Sequence, residues 1–291
     1  MNYFLLLIAT LSATGKAIFC KLVGSAKGKQ AFLLNFEAFF AAFLVSLIFA
    51  AEELKNMGKI SLFSVLLALA FGFSVAFTQY TQMKAMNSGS PSLTTLIYSS
   101  AFLIPIIFSY FAWDNPISAW QIVGIVILLL ALALIVIEPG KSRANGIWII
   151  CTVLATLGSG INAILQKTHQ NSSHSSEIKL FLVLALLFSS LFCLFLYLLS
   201  KGEKVTPKKE KRGVIILFFP IFLGVTVAFL NFVNLKLAGV LPAAIQFPIY
   251  NVGSLILTSA ISVLAFGERL GKRKLVGYFV GVGAILIVGL L

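Results

Sequence analysis

The sequence predicts an all-α polytopic membrane protein, with ten transmembrane helices in two inverted five-helix repeats. Three observations predict it. Of the 291 residues, 59% are hydrophobic and only 11% charged, against roughly 45–50% and about 25% in soluble domains. Apolar runs of about 20 residues, each long enough to cross a bilayer, follow one another along the chain. The chain also repeats itself. Residues 72–84, G-F-S-V-A-F-T-Q-Y-T-Q-M-K, match residues 224–236, G-V-T-V-A-F-L-N-F-V-N-L-K, at a shift of 152. In that register Gln79 falls on Asn231, Tyr80 on Phe232 and Gln82 on Asn234.

In order, the expected spans are 2–22, 30–51, 60–84, 90–112, 117–137, 146–167, 178–200, 213–236, 240–266 and 273–291. Residues 3–13 resemble the apolar core of a signal peptide, but no basic residue precedes them and the repeat makes them a retained helix. Asn87-Ser88-Gly89-Ser90-Pro91 is a turn, with Pro91 suited to the first turn of the fourth span. Asp114-Asn115-Pro116 and Glu138-Pro139-Gly140 break the chain in the same way. The longest polar stretch, 201–212, is a loop, so no soluble domain is expected. Cys20, Cys151 and Cys193 lie in or beside apolar spans and read as small packing residues. His169 and His174, in a Ser/Asn-rich stretch, are expected to be solvated.

The duplication extends further. Residues 9–11 and 17–21 match 155–157 and 163–167 at a shift of 146, Tyr98 falls on Tyr250 at 152, and 115–124 matches 268–277 at 153. Each unit then has five spans, near 1–140 and 141–291. Five is odd, so the second unit enters the membrane the other way up. Inverted repeats of this kind are a transporter signature, with the site at the repeat interface near the midplane.

The net charge is +13, but the basic residues sit mostly at helix ends, where they set membrane orientation rather than bind nucleic acid. Odd-numbered loops with their adjoining helix ends hold sixteen Lys and Arg; even-numbered ones hold five, namely Lys55, Lys59, Lys167, Lys179 and Lys236. Charge alone therefore puts the odd loops in the cytoplasm and both termini outside.

The chain resembles the drug/metabolite transporter superfamily, and within it the ten-helix EamA-like proteins. The residues that carry the resemblance are Gly267-Glu268-Arg269-Leu270 followed by Leu275-Val276-Gly277 at the start of the last span. The first repeat departs from that pattern: Asn115 stands where the family usually has Glu, with Asp114 one position early, while Gln121 and Gly124 remain in place. The second span carries Glu37 where a basic residue is common. The resemblance implies alternating-access transport of a small metabolite, usually export, without ATP hydrolysis. It also implies both termini inside, the reverse of the charge reading.

Candidate substrate-binding residues are Lys16, Glu37, Gln79, Tyr80, Gln82, Tyr98, Asn162, Asn231, Asn234, Gln246, Tyr250 and Asn251. Lys16 and Glu37 are charges inside spans. Either they form a structural ion pair, or Lys16 snorkels, or Glu37 carries protons or contacts substrate. The amides at three-residue spacing share a helix face, which reads as interhelical glue or as a cavity lining for polar substrate groups. The tyrosines suit amphipathic substrates and equally fill helix interfaces. Pro105, Pro220 and Pro248 lie within spans and mark static kinks or flexible breaks.

No phosphate-binding Gly-Lys loop, His-Glu-x-x-His motif or intramembrane Asp or His pair is present, so no enzyme, cofactor or metal is expected. The expected partners are a small-molecule substrate and the lipid bilayer of the cell membrane, with proton or counter-substrate coupling, in a monomer or homodimer. The substrate classes are an amino acid, a nucleoside or a drug-like amphiphile, probed from a central cavity lined by spans 1, 3, 4, 6, 8 and 9. Uptake of a sugar or nucleoside is the alternative, with a passive channel and an intramembrane enzyme behind it.

Overall fold

The computed structural model of the protein describes residues 2–23, 29–89, 91–136, 145–200, 214–266 and 271–290. Among them there are no strands. The α-helices are α1 (Asn2–Val23), α2 (Lys29–Phe49), α3 (Leu62–Ser88), α4 (Pro91–Ser99), α5 (Leu103–Ala112), α6 (Ala119–Val136), α7 (Gly146–Gln170), α8 (Ile178–Leu199), α9 (Val214–Ala238), α10 (Ala243–Phe266) and α11 (Lys272–Leu290). Six helical stretches among the described residues are long and apolar enough to cross a membrane, and shorter apolar stretches lie in α1, α6 and α10. Large apolar side chains face outward along the bundle, Phe111, Ile48 and Phe279 among them, as a lipid-facing surface requires.

The fourth span is broken. Ser100–Phe102 tighten into a 3-10 turn between α4 and α5, so the two helices form one interrupted rod. Pro105 accounts for the position of the break. It has no backbone N–H, and its ring crowds the carbonyl four residues back, at Ala101. Pro220 and Pro248, by contrast, sit inside continuous helices.

Several helix starts are written in the local sequence. Asn145 caps α7 by accepting from the Trp148 backbone N–H at 2.7 Å. Ser118 and Gln121 form a reciprocal box at the start of α6, with both bonds at 3.1 Å. Ser61 caps α3, and its own N–H and hydroxyl donate to the Glu177 carboxylate. Within the apolar helices Thr10, Thr14, Thr152 and Thr156 donate to carbonyls one turn back. No hydroxyl of these four is left unpaired in a setting without water.

Packing is dense where small residues let backbones approach. A Cβ on Gly72 would meet the Ala185 carbonyl at 2.7 Å, and one on Gly224 would meet Ala41 at 2.4 Å. Both are therefore glycine by necessity of close approach, α3 against α8 and α9 against α2. Four sizeable apolar clusters follow. One joins Phe102, Ile106, Leu128, Leu132, Phe247 and Val288. A second joins Ala38, Phe39, Leu182, Leu186, Leu223 and Val227. A third packs α1 against α9 and α10, and a fourth packs α3 against α8.

One end of the bundle gathers the 50–61, 171–177 and 239–242 connections. There Lys179 pairs with Glu53, and that hydrogen bond holds the Glu53 carboxyl below its usual range. Leu6 packs with Leu237 and Leu241 at the same end, and the Tyr3 hydroxyl donates to the Gly289 carbonyl at 2.8 Å, joining the first helix to the last. At the other end Asn145 donates to the Ser88 carbonyl.

Two expectations are corrected here. His169 is not solvated. It lies within α7, fully buried, stacked on Phe181 at 4.1 Å, with Ser64 and Gln170 on its two ring nitrogens. The helix runs three residues beyond the predicted end, and the aromatic contact offsets the cost of dehydrating the ring. Lys167 is not a loop charge. It is 4% exposed, and its ammonium donates to the carbonyls of Ala238 and Leu241 at 3.1 and 3.0 Å. A helix C-terminus carries unpaired carbonyls and partial negative charge, which draws the cation inward. His174 is half-buried, 3.7 Å from Glu177. The 201–212 loop and Gly267-Glu268-Arg269-Leu270 lie outside the described residues, as does the side chain of Lys16.

Candidate functional site: an amide and tyrosine cluster between helices

The inner face of α7 presents Ser159, Asn162 and Gln166, spaced three and four residues apart and so aligned along one side. Ser159 faces the Tyr98 hydroxyl on α4. Asn162 donates to the Thr78 hydroxyl on α3 at 3.4 Å. Gln166 donates to Asn231 Oδ1 on α9 at 3.3 Å. Gly158 sets the distance between α7 and α3, since a Cβ there would collide with the Thr78 hydroxyl.

From α9, Asn231 turns its amide N–H2 onto the Val227 carbonyl at 2.8 Å. One turn on, Asn234 is buried, and its backbone carbonyl accepts from Gln246 Nε2 on α10 at 2.9 Å. Tyr250, one turn beyond Gln246, points its hydroxyl toward the Asn234 amide. Tyr98 and Tyr250 are near enough to interact electrostatically. The structure thus brings together Tyr98, Asn162, Asn231, Asn234, Gln246 and Tyr250 from four helices.

Three oxygens in this cluster, Asn162 Oδ1, Asn234 Oδ1 and Gln246 Oε1, are buried with no hydrogen-bond partner. Each such orphan costs about 1–3 kcal/mol. The three come from three different helices, α7, α9 and α10.

The other expected residues lie apart from this cluster. Gln79 and Gln82 are half-buried on α3, with no hydrogen bond to any described residue. Tyr80 stacks on Phe32 at 5.0 Å, with the Lys84 ammonium 5.7 Å from its ring. Asn251 donates to the Phe247 carbonyl of its own helix. Glu37 is half-buried on α2 with no ion-pair partner among the described residues. Thr78, Ser159 and Gln166 belong to the cluster and were not expected. Gln166 was findable, because it stands one turn beyond Asn162 on the same face.

Two cavities open elsewhere. One of about 360 Å³ lies between α1 and α9, walled by Ile8, Leu11, Phe222 and Phe229. The other, about 320 Å³, lies between α1, α10 and α11. Both linings are almost wholly apolar and neither includes a residue of the amide cluster.

Residues 1–137 match the EamA-like transporter family. The match spans the first 137 of the 291 residues. With six stretches long and apolar enough to cross a membrane, that match supports a multi-pass integral membrane protein and a transporter of the drug/metabolite superfamily. No curated protein matches the chain. Solved structures do: 29 chains match it. One, titled only as the crystal structure of a protein, superposes with a TM-score of 0.78 over 98% of this chain and 95% of its own, at 12% identity. At that identity the likeness speaks for the fold alone.

Proposed function

We propose that this EamA-like chain is a secondary active transporter that exports a small organic metabolite by alternating access. The substrate passes through the interior between α3, α4, α7, α9 and α10, where the amide and tyrosine cluster contacts it. The observation that carries this reading is that Tyr98 and Tyr250, the same position of the two sequence repeats, both border the amide cluster, Tyr98 facing Ser159 and Tyr250 facing Asn234. Residues related by an inverted repeat border one cluster only near the axis that relates the halves, where such transporters place their site.

Reciprocal glycine contacts support the two-repeat reading, with units near 1–140 and 141–291. Gly72 and Gly224 are equivalent in sequence, and Gly72 packs α3 on α8 while Gly224 packs α9 on α2. Likewise Gly124 of α6 abuts Val288 of α11, and its equivalent Gly277 of α11 abuts Ile135 of α6. On this reading the repeats rock about the cluster, and no ATP is hydrolysed.

The test is counterflow in proteoliposomes. Tyr98→Ala and Tyr250→Ala should each lower transport by roughly tenfold, the equivalent of losing one good contact of about 1.4 kcal/mol. Parental rates in both variants would place the path elsewhere.

A further inference from the structure

His169 stands at the inner end of a continuous row of hydrogen bonds. Its Nε2 lies 3.2 Å from Ser64 Oγ, Ser64 Oγ lies 3.0 Å from Ser61 Oγ, and Ser61 Oγ lies 2.7 Å from Glu177 Oε2. The four residues come from the end of α7, the start of α3 and the 171–177 connection. Each step is within reach of proton transfer, which needs roughly 2.6–3.2 Å between heavy atoms. The row also leads outward. His169 and Ser64 are fully buried, Ser61 is partly buried, and the side chains of Glu177 and of His174 beside it are 19% and 39% exposed.

The setting of the ring suits a charged imidazole as well as a neutral one. Ser64 can donate or accept by rotating its hydroxyl, and the Gln170 amide, 2.9 Å from Nδ1, can do the same by turning over. A protonated ring then donates to Ser64 Oγ and Gln170 Oε1, and neither hydrogen is stranded. Phe181 stacks on the ring at 4.1 Å, and an aromatic face attracts a cation. Among the described residues, the other charged and titratable groups at this end are few. Glu177 and His174 belong to the 171–177 connection. Lys167, on α7 itself, is drawn off to the Ala238 and Leu241 carbonyls. Lys179 of α8 is paired with Glu53.

We propose that His169 is a proton-binding site, loaded from the membrane surface through Glu177, Ser61 and Ser64. Loading starts with the ring hydrogen on Nδ1 and Nε2 bare. Glu177, protonated from water, gives its hydrogen to Ser61 Oγ. Ser61 gives its own to Ser64 Oγ, and Ser64 gives its own to Nε2. At each serine one O–H bond forms as another breaks. The net change turns a carboxylic acid and a neutral imidazole into a carboxylate and an imidazolium, and unloading reverses it. Gln170, on the other ring nitrogen, also rests on Gly239, where an added Cβ would lie 3.2 Å from its Oε1. The proton therefore arrives beside the turn between α9 and α10, the helices that carry Asn231, Asn234 and Gln246. Resting on the transporter reading above, the loaded ring makes transport depend on the pH at this end of the bundle.

The experiment is a nuclear magnetic resonance titration of the full chain in nanodiscs, isotope-labelled only at the nitrogens of its two histidines. His174→Asn identifies the His169 signals by removing the others. The His169 nitrogens should move reversibly from neutral to imidazolium positions while the protein stays folded. Ser64→Ala and Glu177→Gln, each checked for parental melting, should slow that proton exchange at least tenfold. Glu177→Gln keeps an acceptor for Ser61 but cannot pass a proton, and it serves if Ser64→Ala fails to fold. A ring that stays neutral until the protein unfolds would make His169 a packing residue and end the proposal. Parental exchange rates in either folded variant would end the relay. Counterflow in proteoliposomes, taken on both sides of the His169 midpoint, should differ at least threefold in the parent and not in His169→Gln. An equal pH response in that variant would sever the proton site from transport. If no substrate shows counterflow, the transporter reading falls, and the ring titration still decides the proton site.

Discussion

At the scale of single residues, Asn234 carries the sharpest prediction. Its side-chain oxygen is buried without a partner, while only its backbone supports Gln246. Asn234→Leu removes an orphaned oxygen and the side-chain contact with Tyr250, and leaves the backbone carbonyl that holds Gln246. It should reduce transport at near-normal expression. Gln82→Leu, the equivalent position in the first repeat, should do the same. Parental transport in proteins that melt much lower would make both amides glue. Glu37 is a different case. It is half-buried on α2 without an ion-pair partner among the described residues, as suits a group that takes up and releases a proton. Transport should depend on pH, and Glu37→Gln should uncouple it from a proton gradient. Full gradient-driven accumulation by Glu37→Gln would end the carrier role. Residue types were readable from the chain, because an amide inside an apolar run needs a partner. Partners were not. Three-residue spacing puts Gln79 and Gln82 on one face of α3, but which neighbour that face meets is set by Gly158, which draws Thr78 against α7 instead. That closeness is a property of two helices together and is invisible in either one.

At the scale of elements, the α9–α10 corner depends on one cation. The Lys167 ammonium reaches into the end of α9 and takes the Ala238 carbonyl there and the Leu241 carbonyl of the connection that follows. Two effects compete in Lys167→Met. Removing a buried charge relieves its desolvation, and removing two charge-assisted bonds strands two carbonyls. Bonds to charged groups are worth about 1.5–3 kcal/mol each, and the helix end adds favourable partial charge, so the second effect should win. Lys167→Met should lower the melting temperature, by an amount set by about 1–3 kcal/mol. A variant melting at or above the parent would show that desolvation dominates. Helix existence was legible from apolar length, and α3 differs from its expected 60–84 by starting two residues later, at Leu62, and extending to Ser88. The break at Ser100–Phe102 shows the limit. Of the three prolines Pro248, between Gln246 and Tyr250, was the one placed for a polar break, yet among the described residues it is the rod containing Pro105 that is interrupted. Pro220 and Pro248 lie inside continuous helices.

At the scale of the whole molecule, apolar runs and the internal repeat made the fold class readable, and orientation is the property on which two arguments collide. The connections at 50–61, 171–177 and 239–242 share an end with the start of α1. That end carries the even-numbered loops, with five basic residues against sixteen in the odd-numbered ones. Burial of Lys167 takes one of those five off the surface, and Lys179 is paired with Glu53. The asymmetry at the membrane surface is therefore steeper than the bare count. Positive charge in short loops stays in the cytoplasm. The expected orientation has both termini outside and the 201–212 loop inside, against the both-termini-inside arrangement that the family resemblance implies. A single cysteine in 201–212, in a chain with Cys20, Cys151 and Cys193 replaced, decides between them. An impermeant thiol reagent added to intact cells should leave it unlabelled until the membrane is opened. Ready labelling from outside would overrule the charge argument and restore the family's orientation, with Glu53 and Lys179 then facing the cytoplasm.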